Sequence, residues 1–345
     1  MLEMGRSMIA DVNAAVRGSD GQKATASGGL LGPISALARE KKTWSPGLLP
    51  GVLWRGFTNM ATFLDVLRLV KVHPFSDAAR LHPRFAFKYL THDYLVRDFS
   101  VPKRAACFLH HYRRLRAVLP DHLLRRTLQG DVNLHETERG GDRFGFSMGL
   151  SRVWDKEGEL SLNLLLNDVI FFLLAFTIVP GWVVGSEAEE VVLITRVQGL
   201  KGCQPQIKLA QDAFAYASPR ALLLAALQGI AEAFGIAEIA GVSATNQSSY
   251  CEESAVSLGR NYDSFFAEAG MAKSAAGFYS TPVPIEGKPL GLIKRGNKPK
   301  VKLQRALKQQ IQQACAAFFD DFVQVPTPEF VDLDVTDSEE PVSST

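Results

Sequence analysis

Cysteine is scarce and scattered. The four, Cys107, Cys203, Cys251 and Cys315, lie far apart with no CxxC pair. That spacing offers neither a zinc knuckle nor a disulfide framework and implies reduced thiols in a cytoplasmic protein. Long apolar runs are missing too. The greasiest stretch, residues 169–179, is followed by Pro180-Gly181 and falls short of the roughly 20 apolar residues of a membrane helix, so it reads as a buried strand. Residues 1–18 carry Glu3 and Asp11 and no continuous apolar core, which argues against a secretory signal there. Histidine is absent after His135; the seven, His73, His82, His92, His110, His111, His122 and His135, fall on or just after basic helical sequence, where caps and surface positions outnumber ligands. No metal set is expected.

What is present is ordinary in bulk and uneven in distribution. A 345-residue chain that is 46% hydrophobic can bury a substantial core. The net charge of +2 decides nothing. Residues 80–127, however, hold eleven Lys/Arg against Asp93, Asp98 and Asp121, a local excess of eight positive charges. Residues 288–308 hold eight basic residues and no acidic one, whereas from Asp320 onward there are eight acidic residues and no basic one. These shifts suggest a flexible segment over 1–45, a basic helical region over 46–129, an α/β core domain over 130–286, a basic helix over 287–319 and an acidic disordered tail over 320–345.

The stretch 190–247 organises the rest. Residues 191–197 form a β-branched run bounded by turn residues, hence a buried strand. A loop, Gln198-Gly199-Leu200-Lys201-Gly202-Cys203-Gln204, leads to Pro205, suited to a first helical turn. A second helix is signed by Ser218 as N-cap, Pro219, the stripe Leu223, Leu227, Ile230, Phe234, and Gly235 as a left-handed cap. Residues 236–243 then read as a second strand, and such a crossover implies parallel pairing. Upstream, prolines 74, 83, 102 and 120 divide helical sequence into short pieces, and the periodicity then turns alternating: strands over 133–138 and 143–152, and a hairpin of 159–166 with 169–179 turned at Asn167-Asp168. Residues 262–269 suggest a short helix, 278–285 a strand broken by prolines and 301–319 a final helix. The fold class is α+β, with a mixed, partly antiparallel sheet and a strand-helix-helix-strand crossover.

Four segments carry a resemblance: His82-Pro83-Arg84-Phe85-Ala86-Phe87-Lys88-Tyr89-Leu90, Val197-Gln198-Gly199, Ser218-Pro219-Arg220-Ala221-Leu222-Leu223 and Asn261-Tyr262-Asp263-Ser264-Phe265-Phe266-Ala267-Glu268-Ala269-Gly270. In this order they resemble the VirK/YbjX family of bacterial proteins, over roughly residues 54–308. The resemblance implies a link to virulence and to tolerance of cationic antimicrobial peptides, through a domain of unknown function with no agreed reaction. Relatives tend to carry a histidine near the place where this chain has Asn246-Gln247.

The element order is also similar to that of acetyltransferases of the GNAT superfamily. There a Gln/Arg-x-x-Gly-x-Gly/Ala turn presents backbone N–H groups at a helix start to the diphosphate of coenzyme A. Gln198, Gly199, Lys201 and Gly202 form a shorter version of that turn, and two short helices replace the usual one. The resemblance implies an acyltransferase using an acyl-coenzyme A or acyl-carrier thioester, with Ser243, Asn246, Tyr262 or Asp263 near the strand ends orienting the acceptor. An acidic acyl carrier protein would suit the basic helices. The alternative is a non-enzymatic binding or regulatory protein, peripheral at the anionic inner membrane, with Phe85, Phe87, Tyr89 and Tyr94 among Arg84, Lys88 and Arg97 resting on lipid. Nucleic acid ranks last, because no recognised binding motif occurs.

Overall fold

The computed structural model describes residues 48–151, 156–320 and 322. The flexible segment expected over 1–45 and nearly all of the expected acidic tail lie outside the described residues. Five helices come first: α1 (Leu48–Thr58), α2 (Met60–Lys71), α3 (Phe75–Leu81), α4 (Val101–Val118) and α5 (Asp121–Gln129). Four antiparallel strands follow, β1 (Asp131–Arg139), β2 (Asp142–Leu150), β3 (Leu160–Leu166) and β4 (Val169–Pro180), and then β5 (Glu190–Gly199). The β3–β4 hairpin turns at Asn167 and Asp168, with φ of 50° and 68°, the left-handed pair that a tight hairpin needs and that Asn and Asp tolerate best after glycine.

From β5 the chain passes through α6 (Gln204–Ala213) and α7 (Pro219–Ala233) into β6 (Glu238–Val242), which pairs parallel to β5. The expected crossover is present, with β6 starting two residues later than expected. Ser218 occupies the N-cap position of α7, yet its hydroxyl makes no capping bond; its carbonyl accepts from the Ala221 and Leu222 N–H groups at 2.9 and 3.1 Å. Gly235 adopts φ 70°, as a left-handed cap should.

A helical stretch then runs through α8 (Ala255–Leu258), a π turn (Gly259–Asp263) and α9 (Ser264–Glu268). Two short strands, β7 (Ala272–Lys273) and β8 (Phe278–Pro282), precede the long α10 (Lys298–Asp320). The fold is α+β: one eight-stranded mixed sheet in the order β1-β2-β3-β4-β5-β6-β8-β7, in which only β5 and β6 are parallel.

Consecutive residues of β2 to β5 are buried rather than alternate ones, so both faces of the sheet are covered. α4 lies against β4 and α5 against β1 and β2; α7 lies against β3 to β6, and α10 packs on α7 and β1. Helices and sheet share one hydrophobic core, from Val52 to Phe319. Cys107, Cys203, Cys251 and Cys315 are all free thiols. No helix among the described residues is long and apolar enough to cross a membrane.

Candidate functional site

β5 keeps β4 as a neighbour to its last residue, Gly199, but loses β6 early. Its parallel pairing covers only Val192, Ile194 and the residue between them, opposite Ile239–Gly241. One residue later, the β4 register slips so that Ala175 faces Arg196 and Phe176 faces Ile194, leaving Thr195 as a bulge. A bulge adds local twist and re-aims the strand. Thr195 is held by donating its hydroxyl to the carbonyls of Ala175, at 3.2 Å, and Glu157. The rest of β5 therefore runs on with one edge open.

Polar side chains gather on that free run. Arg196 and Gln198, two residues apart and so on one face, are joined by a hydrogen bond from the guanidinium to the Gln198 side-chain oxygen, and Arg196 is also ion-paired with Glu157. Ser248 donates to the other Glu157 oxygen at 3.4 Å. Arg196 and Glu157 each keep 14% exposure, so solvent reaches the pair. Tyr262 comes from the π turn, with its phenol oxygen at the Val197 N–H, on the edge that β6 has left. Burial raises its pKa, with Arg196 and that N–H acting in the opposite direction, so the phenol stays protonated at neutral pH.

Of the expected acceptor residues, Tyr262 alone reaches this edge. The other three build the loop behind it. Asp263 caps the Ala244 N–H at 2.8 Å and lies 3.5 Å from the Lys273 ammonium. Ser243 is fully buried with its hydroxyl 3.2 Å from that of Thr245. Asn246 donates to the carbonyls of Ala276 and Gly277 at 3.1 and 3.2 Å.

The expected turn is likewise divided. Gln198 belongs to the polar cluster. At Gly199 a Cβ would come within 2.9 Å of Ile207 and 3.2 Å of Phe172, so this glycine lets α6 settle on β4. Gly202 has φ 84° with open space around it, and Lys201 is exposed. Two backbone donors of the loop are used internally, Leu200 N–H to Phe171 and Cys203 N–H to Leu200. The turn and the Ser243–Gln247 stretch are also staggered: β5 runs five residues past its last β6 partner, whereas β6 ends one residue past its own. The offset of four residues is roughly 13 Å along the strands.

Sequence reasoning missed a second polar cluster, closed to solvent. Lys88 and Glu159 are 3% and 0% exposed with the ammonium 2.5 Å from Glu159 Oε2. The hydroxyls of Tyr94 and Tyr112 also donate to the Glu159 carboxylate. Burial, then the Glu159 charge, pushes both phenols well above their usual range. The signal was in the sequence: a lone lysine inside Phe85-Ala86-Phe87-Lys88-Tyr89-Leu90 cannot be buried without a counter-charge. With no solvent access the cluster fastens the helices to the sheet.

The basic helices are less free than their charge suggests. Arg104 is buried and donates to the carbonyls of Thr91 and His92, both at 2.5 Å; Arg114 lies 2.7 Å from Glu190 and donates to the Phe234 carbonyl. Phe85, Phe87, Tyr89 and Tyr94, expected to rest on lipid, are at most 2% exposed. They are core residues, because the segment between α3 and α4 that carries them packs inward, with Phe85 and Tyr89 against Phe108 of α4 and Phe85 also against Tyr112.

Residues 53–316, more than half of the chain, match the family described as protein of unknown function (DUF535). The chain belongs to this family. The matched stretch takes in all eight strands and the polar edge of β5. No curated protein and no solved structure matches the chain.

Proposed function

We propose that this protein is an acyltransferase of GNAT-like organisation that takes an acyl-coenzyme A or acyl-carrier thioester, and that within its family it is of the VirK/YbjX type, with that group's link to virulence and antimicrobial-peptide tolerance. The observation that carries the proposal is the early departure of β6 from β5. It opens a strand edge beside a protonated buried phenol, Tyr262, and leaves the exposed Gly202 turn at the start of the ten-residue α6. Helix first-turn N–H groups have no carbonyl behind them and favour anions, and Lys201 adds a full charge. A bound thioester supplies the activated acyl group. Lys201 and the first turn of α6 hold its phosphates, Gln198 and Arg196 line the edge, and Tyr262 holds a proton at its phenol oxygen, the form in which a general acid serves a departing thiolate.

Calorimetric titration with coenzyme A and acetyl-coenzyme A tests the proposal. The parent protein is expected to bind, Lys201→Ala to bind about 2- to 10-fold more weakly, and Tyr262→Phe to bind as the parent does while releasing thiol from the acyl donor about 100-fold more slowly. No heat at millimolar ligand would remove the acyltransferase reading.

A second reading, attachment to an anionic membrane surface, is favoured by a different observation. Trp54 and Phe57 are each 67% exposed, with ring centroids 6.4 Å apart, and Met60 and Leu64 continue the exposed apolar stripe onto α2. Aromatic and aliphatic side chains so displayed suit an interfacial role.

A further inference from the structure

The longest helix carries a feature that the acyltransferase reading does not use. Between α7, α10 and the chain around Pro284–Gly287 lies a cleft of about 450 Å³. Its charged lining is Arg305 and Lys308 from α10 against Glu232 from α7, and glutamines 228, 309, 312 and 313 complete the polar walls. Glu232 is engaged, accepting from the Gln312 amide at 2.6 Å. The Arg305 guanidinium donates to the Lys288 carbonyl and lies against Gly287, where a Cβ would come within 3.1 Å of it. Neither Arg305 nor Lys308 has an ion-pair partner among the described residues, although both are partly buried. Two neighbouring cations in a partly dehydrated cleft repel one another, and burial with the Arg305 charge lowers the Lys308 pKa. The carboxylate in the lining, Glu232, is taken up by Gln312, so neither cation is neutralised among the described residues.

The same chain supplies carboxylates within reach. Residues 323–345, outside the described residues, contain Glu329, Asp332, Asp334, Asp337, Glu339 and Glu340 and no basic residue. Lys308 lies twelve residues before Asp320 on α10, a distance of roughly 18 Å at 1.5 Å per residue. Glu329 is nine residues beyond Asp320, and nine extended residues span roughly 30 Å. We propose that the cleft lined by Arg305 and Lys308 is an intramolecular docking site for the acidic segment 323–345, whose carboxylates pair with these two cations. Five of the eight basic residues of 288–308 stand on α10 itself and the acidic run begins at its last residue, Asp320, so the two charge blocks share one helix.

Zero-length carbodiimide cross-linking of the full chain, read by peptide mass spectrometry, tests this. An amide between Lys308 and one of the six carboxylates of 323–345 is expected in the monomeric fraction, with a yield independent of protein concentration and lowered severalfold in 1 M salt, where the Debye length is about 3 Å. A Lys308 that links only to Glu232, or to nothing, overturns the proposal. So does a link confined to the dimeric fraction, which would assign the cleft to a second copy of the chain. Coenzyme A binding is read separately, so either result leaves the β5 edge to its own test.

Discussion

A carboxylate with no solvent exposure, such as Glu159, is tolerated in a protein interior only with compensating partners, and Lys88, Tyr94 and Tyr112 provide them. Removing one charge leaves the other stranded. Lys88→Met or Glu159→Gln alone is therefore expected to destabilise the fold by about 3–5 kcal/mol, and the double variant by less than the sum. Urea denaturation of the four proteins completes the cycle, and strict additivity would show that the two charges do not interact. His111 sits beside this cluster, fully buried, with Nδ1 accepting the Ile178 N–H at 3.0 Å and Nε2 without a partner among the described residues. Burial first, then Lys88 and His110, hold its pKa well below the usual histidine range. The unfolded chain takes up a proton near pH 6.5 that the folded chain refuses, so this stability is complete above about pH 6.5 and is lost as pH falls. The expected slope is about 1.4 kcal/mol per pH unit. His111→Asn, which can still accept the Ile178 N–H, should flatten stability between pH 6.5 and 5; an unchanged profile would place the proton elsewhere.

At the scale of elements, glycines mark where two backbones meet. On α7, a Cβ at Gly229 would lie 2.2 Å from the Gln312 carbonyl oxygen and 3.0 Å from the Ala316 nitrogen of α10. Because the obstacle is backbone, it cannot rotate aside. Gly229→Ala should cost about 1–3 kcal/mol as the helices are forced apart, more than the roughly 1 kcal/mol gained in helix propensity. Gly51 on α1 meets nothing within 4 Å, so Gly51→Ala should be stabilising by roughly 0.5–1 kcal/mol. Thermal melts of the pair decide the matter; equal shifts would mean that the α7–α10 approach is not close. The same reasoning relocates Gly199, whose lack of a side chain serves the packing of α6 against Phe172.

For the whole molecule, the distribution of apolar surface and charge sets how it meets partners. Arg104, Arg114 and Lys88 are committed to internal contacts, while Arg113, Arg116, Arg125 and Arg126 remain exposed. The exposed apolar patch lies instead on α1 and α2. Flotation with vesicles containing an anionic phospholipid is the corresponding measurement: the parent should float and Trp54→Ala/Phe57→Ala should remain in the soluble fraction, because two large apolar side chains contribute roughly 1.5–3 kcal/mol each on burial. Equal flotation of both proteins would leave the patch without that role.

The chain by itself determined the local and the nearby. The stripe Leu223, Leu227, Ile230 and Phe234, the Asn167-Asp168 turn and the crossover from β5 to β6 were legible because periodicity, turn chemistry and handedness act over a few residues. Tyr262 could be named as a candidate but not placed, since its meeting with Val197 joins residues 65 apart in the sequence. Strand β7 escaped notice because two exposed residues carry no pattern, and only pairing with β8 makes them a strand. The basic helices misled for a related reason: charge is counted along the chain, whereas Lys88 finds Glu159 across 71 residues and Arg114 finds Glu190 across 76. Which charges are spent inside and which face a partner is settled by desolvation, and desolvation exists only once the tertiary structure has closed around them.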